Sequence, residues 1–152
     1  MKTVVITGNI CIFDVDADTS GLSVCTKPDG YKTVVYSAGP LTSKYYCRVL
    51  LGVTKGQEVD HINGNTLDNR LCNLRIATSQ QNKFNQSVRK TKVSGLPKGV
   101  TKHGPSYRAA IWINYTRYYL GTFITVAEAE AAYLTAAEKY QKEFASHISR
   151  QV

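Results

Sequence analysis

Between Glu58 and Asn82 the chain has few ways to fold. The stretch reads Glu-Val-Asp-His-Ile-Asn-Gly-Asn-Thr-Leu-Asp-Asn-Arg-Leu-Cys-Asn-Leu-Arg-Ile-Ala-Thr-Ser-Gln-Gln-Asn. Val59, Ile62, Leu67, Leu71, Leu74 and Ile76 read as apolar anchors expected to hold the intervening polar residues outward. The Asn, Gly and Asp residues at its centre mark a turn, and Thr78 or Ser79 is placed to cap a following helix. A carboxylate and an amide oxygen are hard ligands suited to Mg²⁺, Mn²⁺ or Ca²⁺. An imidazole beside them, His61 next to Asp60, can deprotonate water near neutral pH. One metal and one base are a minimal kit for cutting a phosphodiester. The bland alternative is that these Asp and Asn residues only make turns.

The string D-H-I-N-G-N-x-x-D-N-R-x-x-N-L-R within this stretch resembles the HNH nuclease motif, close to that of phage and intron-encoded HNH endonucleases. The resemblance covers about 25 residues and implies two short strands and a helix gripping one divalent metal, Mg²⁺ or Mn²⁺. It implies His61 as general base and Asp60 as a metal ligand. Asn73 is then the middle residue, bracing the loop between the strands. Asn82 is the second metal ligand on the helix, with Asn85, one turn further on, as the alternative.

The 152 residues suffice for one large domain or two small ones. A net charge of +8 favours a polyanionic partner. The excess is uneven. Residues 1–60 carry six Lys/Arg and six Asp/Glu, residues 61–94 six against one, and residues 95–152 seven against four. The positive charge therefore begins at the Asp60-His61 pair. Cys11, Cys25, Cys47 and Cys72 form no C-x-x-C pair, which excludes a zinc ribbon and fits reduced thiols of an intracellular protein. No signal peptide and no apolar run of membrane-spanning length is visible, so no membrane partner is expected.

Ahead of the motif, residues 2–7 and 10–15 flank Gly8-Asn9 and read as a hairpin. Lys27–Gly30 is a turn and Tyr31–Tyr36 a further strand, giving a small antiparallel sheet over residues 1–37. Asp14, Asp16 and Asp18 alternate as in a calcium loop, but Thr19 and Cys25 stand where such a loop needs glycine and glutamate, so a strand end and turn is the better reading. Residues 42–51 read as a short helix ending at Gly52.

Behind the motif, residues 86–95 are polar, basic and aperiodic. They read as a linker in which Arg89, Lys90 and Lys92 could follow a phosphate backbone. Strands follow at Lys98–Thr101, Tyr107–Asn114 and Arg117–Phe123, with an Asn114-Tyr115 turn between the last two. Thr125-Val-Ala-Glu128 is a capping box that opens a helix to about Phe144. The marks K-G-V, Y-R-A-A-I, L-G-T-F and A-E-A-A-Y resemble the plant ethylene-response-factor DNA-binding domain over roughly residues 95–146. That resemblance implies a three-stranded sheet in the major groove of duplex DNA, with the helix on its other face. Period-two alternation then turns Arg108, Ala110, Trp112 and Asn114 toward DNA, joined by Arg117 and Tyr119 on the third strand and Lys98 and Thr101 on the first.

The expected fold is α+β: antiparallel strands and a ββα-metal nuclease core over 1–86, a linker over 87–95, a DNA-binding domain over 96–146, and a tail over 147–152. The expected function is a metal-dependent DNA endonuclease of homing or phage type, acting as monomer or homodimer. The alternatives are a dimeric restriction enzyme, a non-catalytic DNA-binding regulator on the same scaffold, and RNA cleavage, which suits a major-groove sheet less well.

Overall fold

The computed structural model describes residues 1–86 and 94–145. The chain divides into two units, Met1–Asn82 and Lys83–Val152. In the first unit, short β-branched runs punctuated by tight turns give paired strands. β1 (Lys2–Ile6) and β2 (Asn9–Phe13) are antiparallel with Ile6 opposite Asn9. Their two-residue loop is Thr7-Gly8 at φ 46° and 75°, the left-handed pair that matches the twist of a hairpin. The turn thus falls one residue earlier than the expected Gly8-Asn9, with a threonine in the left-handed position. β3 (Leu22–Thr26) and β4 (Lys32–Tyr36) form a second ladder. The two ladders are separate sheets, where the sequence suggested one.

Ile6, Cys11, Phe13, Val34 and Tyr46 close a core over these ladders. Tyr46 meets Phe13 edge-on, 5.4 Å between centroids, a geometry worth about 1 kcal/mol beyond area burial. Tyr46 opens α1 (Tyr46–Leu50), which is shorter than the expected 42–51. Gly39–Leu41 takes a separate 3-10 turn and Ser43 a left-handed φ of 66°, which delays the helix. Gly52 closes α1 at φ 60°, as expected.

The motif stretch follows as β5 (Glu58–His61), a 3-10 turn at Leu71–Asn73, β6 (Leu74–Ala77) and α2 (Ser79–Asn85). β5 and β6 are antiparallel, with Asp60 opposite Arg75 and His61 opposite Leu74. Thr78 caps α2 reciprocally: its hydroxyl accepts from the Gln81 amide at 3.2 Å, and the Gln81 side chain accepts from the Thr78 amide at 2.8 Å.

The connection between β5 and β6 is fastened to the amino-terminal ladders. The Ile12 amide donates to the Leu67 carbonyl at 2.9 Å, and the Asn69 amide donates to the Ile12 carbonyl at 2.8 Å. The Leu71 amide donates to Asp14 Oδ2 at 2.9 Å. The Thr66 hydroxyl donates to the Lys32 carbonyl. Asp14, read from sequence as part of a strand end and turn, is thus also an anchor for this loop.

In the second unit β7 (Val100–His103), β8 (Ser106–Ile113) and β9 (Thr116–Phe123) form an antiparallel sheet in that order. Asn114 and Tyr115, at φ 48° and 62°, make the tight turn between β8 and β9. β7 begins two residues later than the expected Lys98. α3 (Val126–Gln141) packs Ala129, Tyr133, Ala136 and Ala137 against Val100, Ala109 and Ile111. The alanines of α3 bring it close to the sheet. The Thr125–Glu128 capping box is formed in both directions. Thr125→Ala leaves the Glu128 amide without its acceptor and is expected to cost about 1 kcal/mol, read as a lowered urea midpoint at unchanged slope. Among the described residues no helix is long and apolar enough to cross a membrane.

Candidate active site

Strand alternation on β5 puts Glu58 and Asp60 on one face, and His61 ends the strand beside Asp60. Asp60 is 4% exposed. Its Oδ2 accepts from Arg75 Nε at 2.8 Å and from Arg75 Nη2 at 2.6 Å, a charge-assisted pair across the two strands. Asn82, in the first turn of α2, donates from Nδ2 to Glu58 Oε2 at 2.6 Å. The helix amide therefore reaches the face of β5 that also carries Asp60, two residues along. Asn85 is buried further along α2.

His61 is 6% exposed, and its Nε2 lies 3.3 Å from Asn69 Oδ1. Burial pushes the imidazole below its ordinary value, against a smaller upward pull from the Asn69 contact and from Asp60 and Asp68. Burial therefore favours the neutral ring, the form that can accept a proton.

Asn73 ties the loop together. Its Oδ1 accepts from the Asn63 amide at 3.0 Å, its Nδ2 donates to the Asp68 carbonyl at 2.8 Å, and its own carbonyl accepts from the Ile62 amide at 2.9 Å. Asp68, 1% exposed, is gripped by Arg70 Nε at 2.8 Å and Nη2 at 2.6 Å, and by Asn63 Nδ2 at 2.9 Å. The Arg70 guanidinium holds the Asp68 carboxyl below the usual carboxylate range.

Sequence reasoning assigned nothing to Glu58, Asn69 or Arg75. Asn69 lies within the quoted D-N-R and Arg75 within N-L-R, but their partners are fixed by the loop path and the β5–β6 register, which neighbouring residues do not specify.

Oxygen donors of the Asp60 carboxylate and Asn82 amide kind fit a hard divalent cation, which accepts few protein ligands and completes its shell with water and phosphate. Among the described residues no group of three or more His, Cys, Asp or Glu gathers as a denser alternative.

On the carboxy-terminal sheet, directly paired residues share a face. Thr101 pairs with Arg108, Arg108 with Thr122, Ala110 with Tyr119, and Trp112 with Arg117. These side chains lie opposite α3. Trp112 and Tyr119 are each 58% exposed. Ala110 sits on the same face but is 5% exposed, so it presents little to a partner. The Arg108 guanidinium lies over the Tyr119 ring at 5.4 Å. Asn114 is exposed in the β8–β9 turn. Lys98 is placed elsewhere: its ammonium donates to the carbonyls of Phe84 at 2.6 Å, Gln86 at 2.8 Å and Lys83 at 3.3 Å, completing the carboxyl end of α2. Arg89, Lys90 and Lys92 lie outside the described residues.

Three comparisons bear on these residues. Residues 51–84 match the family model described as HNH endonuclease. A protein of Acanthamoeba polyphaga mimivirus named as an HNH endonuclease is 38% identical over 89 residues, which is 58% of this chain and 45% of that protein. Protein 3.8 of Escherichia phage T7 is 43% identical over 44 residues, 29% of this chain and 36% of that protein. No solved structure matches. The chain thus spans less than half the length of these curated relatives, and it is the segment from 51 to 84, with β5, β6 and most of α2, that is similar to the HNH endonuclease family model.

Proposed function

We propose that this chain is a metal-dependent DNA endonuclease in which the β5–β6–α2 stretch cuts and the carboxy-terminal sheet holds duplex DNA. One observation carries the reading: a buried histidine directly follows a buried carboxylate on a strand whose carboxylate-bearing face is also reached by a helix asparagine.

Asp60 and Asn82 would hold the cation, Mg²⁺ or Mn²⁺. Bound there, it supplies charge stabilisation to the phosphate oxygens and to the leaving 3′ oxygen. The chain's own residues supply the rest. The Asn69 contact holds the His61 ring at Nε2, and the neutral imidazole is the group that takes a proton from the attacking water. Arg75 fixes the Asp60 carboxylate, and Asn73 keeps the loop between the strands from spreading. On the sheet, Arg108, Arg117, Trp112 and Tyr119 offer cations and aromatic faces that suit phosphates, base edges and sugars, with Thr101 and Asn114 beside them. Each chain has one such stretch, so a monomer nicks one strand and a double-strand break takes a second chain or a second visit.

Supercoiled plasmid incubated with the chain and Mg²⁺ or Mn²⁺ should convert to the nicked form, and a chelator should stop the conversion. Plasmid that stays supercoiled with either metal, while still being bound, would leave a DNA-binding regulator as the better reading.

A further inference from the structure

Glu58 lies two residues before Asp60 on β5, and neither the motif nor the proposed reaction gives it a task. It accepts from Asn82 Nδ2 at 2.6 Å. A carboxylate can only accept, so this contact settles which way round the Asn82 amide lies. With Nδ2 held by Glu58, the amide presents Oδ1, its only metal-binding atom, on the other side. An asparagine has no charge to bias its orientation toward a cation, and a rotated amide would offer NH₂ instead. The first turn of α2 fixes where Asn82 stands, through Thr78 and Gln81, but not how its amide is rotated.

We infer that Glu58 is a positioning residue for the divalent cation: it holds Asn82 through Nδ2, so that Oδ1 is set for the metal before the metal arrives. The inference rests on the endonuclease reading of Asp60 and Asn82 and adds to it a residue outside the ligand set. Partners of this kind, one bond removed from the ligand, typically change metal affinity by about 10- to 100-fold when lost.

Two conservative variants separate reach from charge. Glu58→Asp keeps the charge but is one methylene too short for Asn82. Glu58→Gln loses the charge but keeps an oxygen that can accept from Nδ2. Mn²⁺ affinity is measured on the full chain without DNA by calorimetry or by the free-ion electron paramagnetic resonance signal, with melting temperature as a check on folding. The expected result is a dissociation constant about 10- to 100-fold weaker for Glu58→Asp and close to the parent for Glu58→Gln. In the metal-free parent, the Asn82 side-chain amide protons should resonate downfield as a hydrogen-bonded pair and lose that shift in Glu58→Asp alone. Equal affinity in all three chains overturns the inference and leaves the endonuclease reading standing. Glu58→Gln weakening at least as much as Glu58→Asp also overturns it, since charge or direct ligation would then be the role. A parent chain that binds no Mn²⁺ overturns the endonuclease reading and this inference with it.

Discussion

Replacing His61 with alanine should lower the rate of DNA nicking by about 10²- to 10⁴-fold, the usual contribution of a positioned general base, while a gel-shift measurement of DNA binding stays near the parent value. The two readouts part because His61 is buried at the end of β5, whereas the exposed cations and aromatic rings lie on the carboxy-terminal sheet. The pH dependence follows from the same burial. His61 is pushed below the ordinary imidazole value of about 6.5, and only the unprotonated ring can act as base. The nicking rate should therefore be level across pH 7 and fall as pH drops through the lowered value, with the acid limb below about 6.5. An acid limb centred above neutrality, or a His61→Ala chain that nicks at the parent rate, would remove His61 from the reaction.

Gly99→Ala should be among the most damaging single changes in the second unit. Gly99 has φ +77°, and a Cβ built there would stand 2.0 Å from Tyr133 Cδ2, 2.4 Å from Tyr133 Cε2 and 2.8 Å from the Ala110 carbonyl oxygen. Tyr133 is 6% exposed in the α3 core, so its ring has little room to withdraw. Left-handed backbone costs an alanine about 1–2 kcal/mol, and overpacking a filled core about 1–3 kcal/mol. Together these predict a loss of roughly 2–5 kcal/mol, large against the total stability of a small unit. Gly104→Ala is the control: Gly104 has φ +59° with nothing near its missing Cβ, so only the backbone part applies. Urea unfolding of both variants separates strain from collision, and equal midpoints would show that the Tyr133 ring does not press on Gly99.

What the sequence disclosed was what neighbouring residues decide among themselves. The Thr125–Glu128 box, the Asn114-Tyr115 turn and the exposure of Trp112 against the burial of Ile111 all follow from short spacings, and all appear in the structure. What it hid depends on distant partners. Lys98 sits beside a strand in sequence, but the carbonyls at the end of α2 take its ammonium. Arg75 meets Asp60 only once the β5–β6 register is known, and Asn69 meets His61 only once the loop has folded back. The Thr7-Gly8 turn slipped by one position because Gly8-Asn9 looked locally as good. At the site, the Asp60-His61 pair and the capped helix after it were legible; the roles of Asp60, His61, Asn73 and Asn82 rest on resemblance and on the proposal above.

The fastening of residues 66–71 to Ile12, Asp14 and Lys32 has a bearing on protein engineering. Moved to another host protein, the 58–82 stretch would bring every atom proposed for the chemistry and leave behind the scaffold that gives those atoms their places. The two amino-terminal ladders are less an appendage than a splint, and a transplant would have to include them.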